Sequence, residues 1–268
     1  MKTLSGRELA GFVKERQAGE VSRLVAELGR APKLLIIRDS DNPVICKYVD
    51  LKRRYGEDIG VVVEDYYAKG ASEIATAIAE ANADGNVDGI ILQLPIVDKE
   101  RTDELTGIIA PEKDVDGLSG REGAYDSATA TAIWWLLAGY DVKLIDARVA
   151  LVGRGKLVGA PLMRMFEASH IDYELFHRGS DLTKLAEYDV IITATGVPGL
   201  IDSDMVRPGA VVVDAGTASE KGMLVGDVSD AVRERDDLGG ITPRIGGVGP
   251  LTVACLFEHV INAASKKA

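Results

Sequence analysis

Tyr48 and Lys52 stand four residues apart in a stretch with helical periodicity, so both side chains leave one face of the helix. A lysine amine is neutral or charged according to its burial, and a tuned amine can shuttle protons. Gln93-Leu94-Pro95 directly follows an apolar run, which puts Gln93 at the carboxyl end of a strand, where open α/β sheets bind ligands. An amide at that point can orient the lysine. Asp114-Val115-Asp116-Gly117 comes next, in a loop. A loop carboxylate can accept paired N–H bonds from a guanidine-like heterocycle. Taken singly, each feature has an ordinary reading: a half-buried helix face, a capped strand, a pair of turn-forming aspartates. Taken together, Tyr48, Lys52, Gln93 and Asp116 make a candidate catalytic set.

A second group of residues points to a dinucleotide. Val149-Ala150-Leu151-Val152-Gly153-Arg154-Gly155-Lys156-Leu157-Val158-Gly159 places a strand before a glycine turn and a helix after it. The spacing is GxGxxxG rather than GxGxxG, yet strand, turn and helix agree. Free N–H groups and the dipole at such a helix N-terminus stabilise a pyrophosphate. The alternative is a tight turn whose glycines serve packing alone. The following strand ends Phe176-His177-Arg178-Gly179-Ser180. An NAD site usually offers an acid there to hold the ribose 2′-hydroxyl. Arg178 and Ser180 stand in its place, with Arg154 in the glycine loop, which suits a 2′-phosphate and so NADP over NAD. Thr193-Ala194-Thr195-Gly196-Val197-Pro198 follows another buried strand, and its small residues let a cofactor lie close to a sheet edge. Near the end, Thr242-Pro243-Arg244-Ile245-Gly246-Gly247-Val248-Gly249-Pro250-Leu251-Thr252 crowds glycine and proline before an apolar, helix-like run. It reads either as a stiff connection or as a backbone wall against which a flat ligand lies.

The elements that must position these residues fall into two α/β series. Helical periodicity covers 5–28, 43–55 and 72–83, and apolar runs at 33–37, 59–63 and 89–92 read as strands. A connecting helix spans 128–138. The pattern then restarts, with strands at 149–152, 173–176, 190–193 and 211–214 and helices at 157–168 and 251–264. The fold class is therefore α/β: two open parallel-sheet units, a catalytic one and a Rossmann-type one, with the cleft between them as the expected ligand site. The expected boundaries are 1–126 for the first domain, completed by the C-terminal helix 251–268, and 127–250 for the second.

Bulk properties exclude several other classes. The 268 residues carry a net charge of −11 with no basic stripe, which argues against a nucleic-acid partner. Cys46 and Cys255 lie far apart and fit a reducing cytoplasm. The N-terminus is too charged for a signal peptide, and no apolar run is expected to span a membrane. His170, His177 and His259 lack metal-ligand spacing, so no metal is expected.

In this order the motifs resemble the methylenetetrahydrofolate dehydrogenase/methenyltetrahydrofolate cyclohydrolase family. The resemblance runs over nearly the whole chain, from Ser5-Gly6-Arg7-Glu8-Leu9-Ala10 to the last helix. It rests on Tyr48-x-x-x-Lys52, Gln93-Leu94-Pro95, Pro111-Glu112-Lys113-Asp114-Val115-Asp116-Gly117, Gly153-Arg154 with Val158-Gly159-x-Pro161, Gly226-Asp227-Val228, and Gly246-Gly247-Val248-Gly249-Pro250 with Thr252. It implies a homodimeric enzyme of one-carbon metabolism that serves purine biosynthesis. Such an enzyme oxidises 5,10-methylenetetrahydrofolate with NADP and hydrolyses the methenyl product to 10-formyltetrahydrofolate. Carried over, Lys52 is the central catalytic group, Gln93 orients it and Tyr48 helps place the folate, with Asp116 on the pterin amino edge. Gly117, Gly247, Pro250 and Thr252 join the substrate site. Gly153, Arg154, Gly155, Val158, Gly159, His177, Arg178, Ser180, Thr195, Gly196, Gly216 and Thr217 form the cofactor site. The chain departs from the family pattern at Ile45, at Ser127-Ala128-Thr129-Ala130, at Gly155 and at Arg244-Ile245. A member with one activity only, a dehydrogenase of amino or hydroxy acids, and a non-catalytic folate- or nucleotide-binding regulator are the competing readings.

Overall fold

The computed structural model describes residues 1–220 and 223–268, the side chains of 218–220, 223 and 224 excepted. In chain order the elements are β1 (Lys2–Thr3), α1 (Gly6–Leu28), β2 (Lys33–Arg38), α2 (Pro43–Ile59), β3 (Val62–Tyr67), α3 (Ala71–Ala83), β4 (Gly89–Leu92), α4 (Thr102–Gly107) and α5 (Ala128–Gly139). There follow β5 (Val149–Val152), α6 (Gly159–Ala168), β6 (Tyr173–Phe176), β7 (Val190–Thr193), β8 (Val211–Asp214), β9 (Ala218–Glu220), β10 (Met223–Val225), α7 (Asp230–Arg233), β11 (Gly240–Ile241) and α8 (Val248–Ser265). The chain divides into two compact units, Met1–Ala10 with Thr129–Thr252 and Gly11–Ala128 with Val253–Ala268.

The unit of Gly11–Ala128 and Val253–Ala268 is built on a parallel sheet of order β3-β2-β4. Every residue of β4 is buried, as a continuous apolar run in a covered parallel strand should be. Asn42 caps α2 by accepting the Val44 N–H at 2.9 Å, and Pro43 fits the first turn, where no N–H is needed. Ile74, Ala77, Ile78 and Ala81 of α3 face inward and join Ile37, Ile90 and Leu92 in one cluster. From α8, Phe257 stacks on Tyr55 with ring centroids 5.1 Å apart.

The other unit has a six-stranded sheet of order β1-β11-β8-β7-β5-β6, parallel at every described pairing. Ala150, Val152, Phe176, Ile191 and Val212 line its core. From β5 the chain pairs outward to β6 and inward to β7, so the topological switch lies at the carboxyl ends of β5 and β7.

The structure corrects several expectations. The first ten residues, expected in the catalytic domain, belong to the Rossmann-type unit, where Lys2 and Thr3 pair with Gly240 and Ile241. β11 would otherwise expose a row of unpaired backbone groups. The strand expected at 59–63 begins at Val62, because α2 continues to Ile59 and Gly60, at φ 85°, closes it with a left-handed cap. The last helix starts at Val248, since Pro250 is tolerated in a first turn. That helix is also long and apolar enough to cross a membrane by length and composition, which the expectation had denied. Its Cys255, Phe257 and Val260 are instead buried in the fold.

Ser5 opens α1 by accepting the Glu8 N–H at 3.2 Å, one half of a capping box. The next residue is packed so tightly that a Cβ on Gly6 would overlap the Gly247 carbonyl oxygen, while one on Gly11 would meet nothing within 4 Å. Gly6→Ala is expected to destabilise the protein by about 1–3 kcal/mol. Gly11→Ala, on the same helix, is expected to raise stability by about 0.5–1 kcal/mol. Chemical denaturation of the two variants checks the contrast.

Candidate active site

On α2 the buried residues are Ile45, Val49, Gly56 and Ile59. Lys52 fills the missing step of that stripe, three residues after Val49 and four before Gly56, a position the helix otherwise gives to apolar groups. Lys52 Nζ donates to Gln93 Oε1 at 2.7 Å. The amide is fixed in turn. The Gln93 N–H extends the β2–β4 ladder by donating to the Ile37 carbonyl at 2.8 Å, and Nε2 donates to the Leu94 carbonyl at 3.0 Å. An ammonium only donates, so the amide oxygen must face it.

Asp116 sits on a loop that its neighbours build. Lys113, buried, donates to the carbonyls of Ala81, Asn82 and Asp84 at 2.7, 2.9 and 2.7 Å and so closes the C-terminus of α3. Asp114, also buried, accepts the N–H groups of Gly117, Leu118 and Ser119 at 3.0, 3.3 and 2.9 Å. Gly117 has φ 68°, and a Cβ there would lie 2.5 Å from the backbone of Tyr125 and Asp126. From α8, His259 Nδ1 lies 2.8 Å from the Val115 carbonyl, which requires the proton on that nitrogen. Its ring stacks on Tyr125 at 4.7 Å.

Gly247, Pro250 and Thr252 lie in the other unit, with the dinucleotide residues. There Gly153 takes φ 104°, and a Cβ would come 2.7 Å from the Ala194 carbonyl oxygen. The exposed run Arg154–Leu157 then leads into α6, which starts at Gly159 behind Val158. Gly155 is open, since a Cβ there would meet nothing within 4 Å. At the end of β6, Ser180 N–H donates to the His177 carbonyl at 2.9 Å and His177 N–H to Ser180 Oγ at 3.0 Å. Arg178 is exposed on that tight turn and makes no ion pair among the described residues. Thr195 and Gly196 follow β7, and Gly216 and Thr217 follow β8. All four loops leave the carboxyl edge of one sheet. Ile45 packs into the core, Arg244 pairs with Asp230, and Ile245 is exposed.

Residues 4–116 match the family described as "Tetrahydrofolate dehydrogenase/cyclohydrolase, catalytic domain", and residues 127–268 match its "NAD(P)-binding domain". The chain belongs to this family. It is 36% identical over 282 residues to the "Bifunctional protein FolD" of Sorangium cellulosum (strain So ce56), covering 99% of this chain and 98% of that one. Among solved structures it is similar to the bifunctional FolD methylenetetrahydrofolate dehydrogenase/cyclohydrolase of Campylobacter jejuni, with TM-score 0.92, 31% identity and 100% of both chains covered. It is also similar to the Trypanosoma brucei enzyme complexed with NADP and an inhibitor, with TM-score 0.88, 27% identity and 99% and 97% coverage.

In this tetrahydrofolate dehydrogenase/cyclohydrolase chain the site's electrostatics favour neutral forms. Lys52 keeps some accessible surface, but burial pulls its pKa below the usual lysine range, against the opposing charge of Asp116. Burial pushes Asp116 upward; Lys52 draws it back and Asp114 adds to the rise. Burial likewise raises the Tyr48 phenol. Asp114 is the turn former that its place in the sequence offered, whereas Lys113 and His259 carried no such reading; Lys113 stands inside a quoted motif, and His259 is 144 residues from Val115 with no local signal.

Burial lowers the His259 pKa below its ordinary 6.5; the bond to Val115 and the charges of Glu258, Asp126 and Asp114 oppose the shift. The unfolded chain therefore takes up this proton first as pH falls, and folding stability falls with it. Thermal melts from pH 8 to pH 5 are expected to show a steeper loss below about 6.5 in the wild type than in His259→Gln. Parallel curves would contradict this assignment.

Proposed function

We infer that the enzyme oxidises 5,10-methylenetetrahydrofolate to the 5,10-methenyl form with NADP, and hydrolyses that cation to 10-formyltetrahydrofolate. The observation that carries the reading is the Lys52 amine, set in the apolar stripe of α2 and held at 2.7 Å by an amide oxygen. Burial shifts Lys52 toward its free amine, and a neutral amine does not repel a cationic substrate. In hydrolysis, water adds to the methenyl carbon while Lys52 takes the proton that water loses. The hydroxyl group then loses its remaining proton to solvent as the carbon–oxygen double bond forms, the bond from that carbon to N5 breaks, and Lys52 returns the first proton to N5, leaving the formyl group on N10. Gln93 keeps the amine lone pair directed at the substrate. Asp116 accepts from the pterin amino edge, and Tyr48 packs against the folate.

NADP, when bound, would supply the acceptor for a hydride from the one-carbon bridge. The residues fit that group. Gly153 closes the turn against Ala194 and Gly155 leaves an open surface in front of α6, whose N-terminal dipole would stabilise a pyrophosphate. Arg178, exposed and without an ion pair among the described residues, would hold the 2′-phosphate with Ser180.

Lys52→Met is expected to abolish cyclohydrolase activity while leaving melting temperature unchanged or higher, because it removes a desolvated amine from an apolar stripe. Absorbance of methenyltetrahydrofolate during hydrolysis is the readout. Hydrolysis at the wild-type rate would sink the mechanism.

The same reading carries a homodimer in a reducing cytoplasm that supplies formyl groups for purine synthesis. Free thiols at Cys46 and Cys255 support the compartment. Support for the dimer comes from β3, which pairs only with β2 among the described residues and presents Val62, Tyr66 and Tyr67 as exposed apolar groups. Sedimentation is expected to find a dimer in the wild type and a folded monomer in Val62→Glu. A dimeric Val62→Glu moves the interface elsewhere.

A further inference from the structure

The Gly226-Asp227-Val228 motif has no part in the chemistry above. Its aspartate is completely buried. Oδ2 accepts from Thr193 Oγ1 at 2.7 Å and from the Thr195 backbone N–H at 2.7 Å. Oδ1 is buried and has no hydrogen-bond partner among the described residues. It is pressed against Gly216, where any added Cβ would overlap it. A carboxylate oxygen without a donor is costly in the interior, and a Cα–H contact recovers only part of that cost.

The cost is incurred between two loops, one leaving β7 at Thr193 and one leaving β8 at Asp214. Asp214 completes the arrangement. Its Oδ1 accepts the N–H groups of Gly216 and Asp227 at 3.1 and 3.0 Å, and its Oδ2 accepts that of Val228 at 3.2 Å and pairs with Arg233. The β8 end thus grips the backbone of the motif, and the motif's side chain grips the β7 end. Both strands are neighbours, and β7 borders the switch point.

The cofactor reading above orders the sheet edge. Arg178 follows β6, so the adenosine phosphate belongs there, and the glycine turn after β5 takes the pyrophosphate. An extended dinucleotide therefore reaches β7 and β8 with its nicotinamide half.

We propose that Asp227 is a positioning residue for the nicotinamide half of the cofactor, holding the Thr195–Gly196 and Gly216–Thr217 loops at one fixed spacing. It does not touch the reacting atoms. The proposal rests on the cofactor reading, and the test separates the two. Full-length Asp227→Asn and Asp227→Ala are compared with wild type. The readouts are dehydrogenase kcat and KM for NADP, cyclohydrolase rate without NADP, melting temperature, and calorimetric binding of NADP and of adenosine 2′,5′-bisphosphate, which reports the adenosine end alone. Dehydrogenase kcat/KM is expected to fall about tenfold or more, further for Ala than for Asn, because misplacement of reacting groups is heavily penalised. Adenosine 2′,5′-bisphosphate affinity and the cyclohydrolase rate are expected to stay within about twofold of wild type. Asp227→Asn keeps one acceptor oxygen for Thr193 and Thr195, so it carries the test if the alanine variant does not fold. Unchanged dehydrogenase kinetics overturn the proposal, as does a parallel fall in both activities with melting temperature. Failure of wild type to bind adenosine 2′,5′-bisphosphate overturns the cofactor reading itself.

Discussion

An ammonium ion in the middle of an apolar helix stripe loses most of its hydration, and a chain that keeps one at Lys52 has to supply something in return. The partner it supplies is an amide. A carboxylate at 2.7 Å would hold the proton on the lysine and raise its pKa, whereas Gln93 accepts the N–H without adding charge, so burial still dominates. The nearest opposing charge is Asp116, itself pushed toward its protonated form. Both shifts run toward the neutral forms, the direction that lets Lys52 act as a proton acceptor. Geometry follows from the same need. Gln93 can reach Lys52 because β4 lies beside β2, the strand that leads into α2, and the ladder bond from Gln93 to Ile37 fixes the amide at the carboxyl edge.

The second unit works with backbone where the first works with side chains. Its sheet carries the candidate binding residues on loops after β5, β6, β7 and β8, all at the carboxyl edge. Gly153 is fixed by close approach to Ala194, while Gly155 is sterically free. A serine at 155 would therefore fit without strain, and glycine there is not a demand of the turn. The distinction separates the departures from the family pattern. Ile45 is absorbed into the core and Arg244 is answered by Asp230, so neither disturbs the Lys52–Gln93 pair.

Most of this was legible in the sequence where one physical signal acted alone. The fully buried strands β4, β5 and β7 are continuous apolar runs between turns, and they stand at the expected residues. The Tyr48–Lys52 face and the position of Gln93 after β4 follow from helix and strand periods. Legibility ended where tertiary partners decide. β1 and β11 are two residues each, and no period exists in so short a run. β3 is exposed along most of its length and carries Glu64 and Asp65 at its centre, so the apolar window slid back onto the end of α2. His259 reads as one more residue of an apolar helix, because its partner is a carbonyl distant in sequence.

Three buried aspartates and the partly buried Asp214 show what holds such loops. Asp88, Asp114, Asp214 and Asp227 each accept backbone N–H groups and stitch segments that have no ladder of their own. Their surroundings differ in sign. Asp88 is buried yet pulled below the usual carboxylate range, because Arg30, Lys267 and the Lys33 N–H outweigh desolvation. Asp214 is pushed upward by burial, with Arg233 and its backbone donors only partly opposing and Asp227 adding repulsion. The two carboxyls respond oppositely to acidification. The depressed carboxyl contributes stability that is present at neutral pH and lost as pH falls through its folded value, whereas the raised one costs stability at neutral pH that protonation relieves. A chain of net charge −11 thus uses its acids in two ways. Asp88 is a paired staple that strengthens the fold. Asp214, whose charge burial disfavours, and Asp227, whose Oδ1 has no donor among the described residues, form a clamp that is better explained by the loops it positions than by what it stabilises.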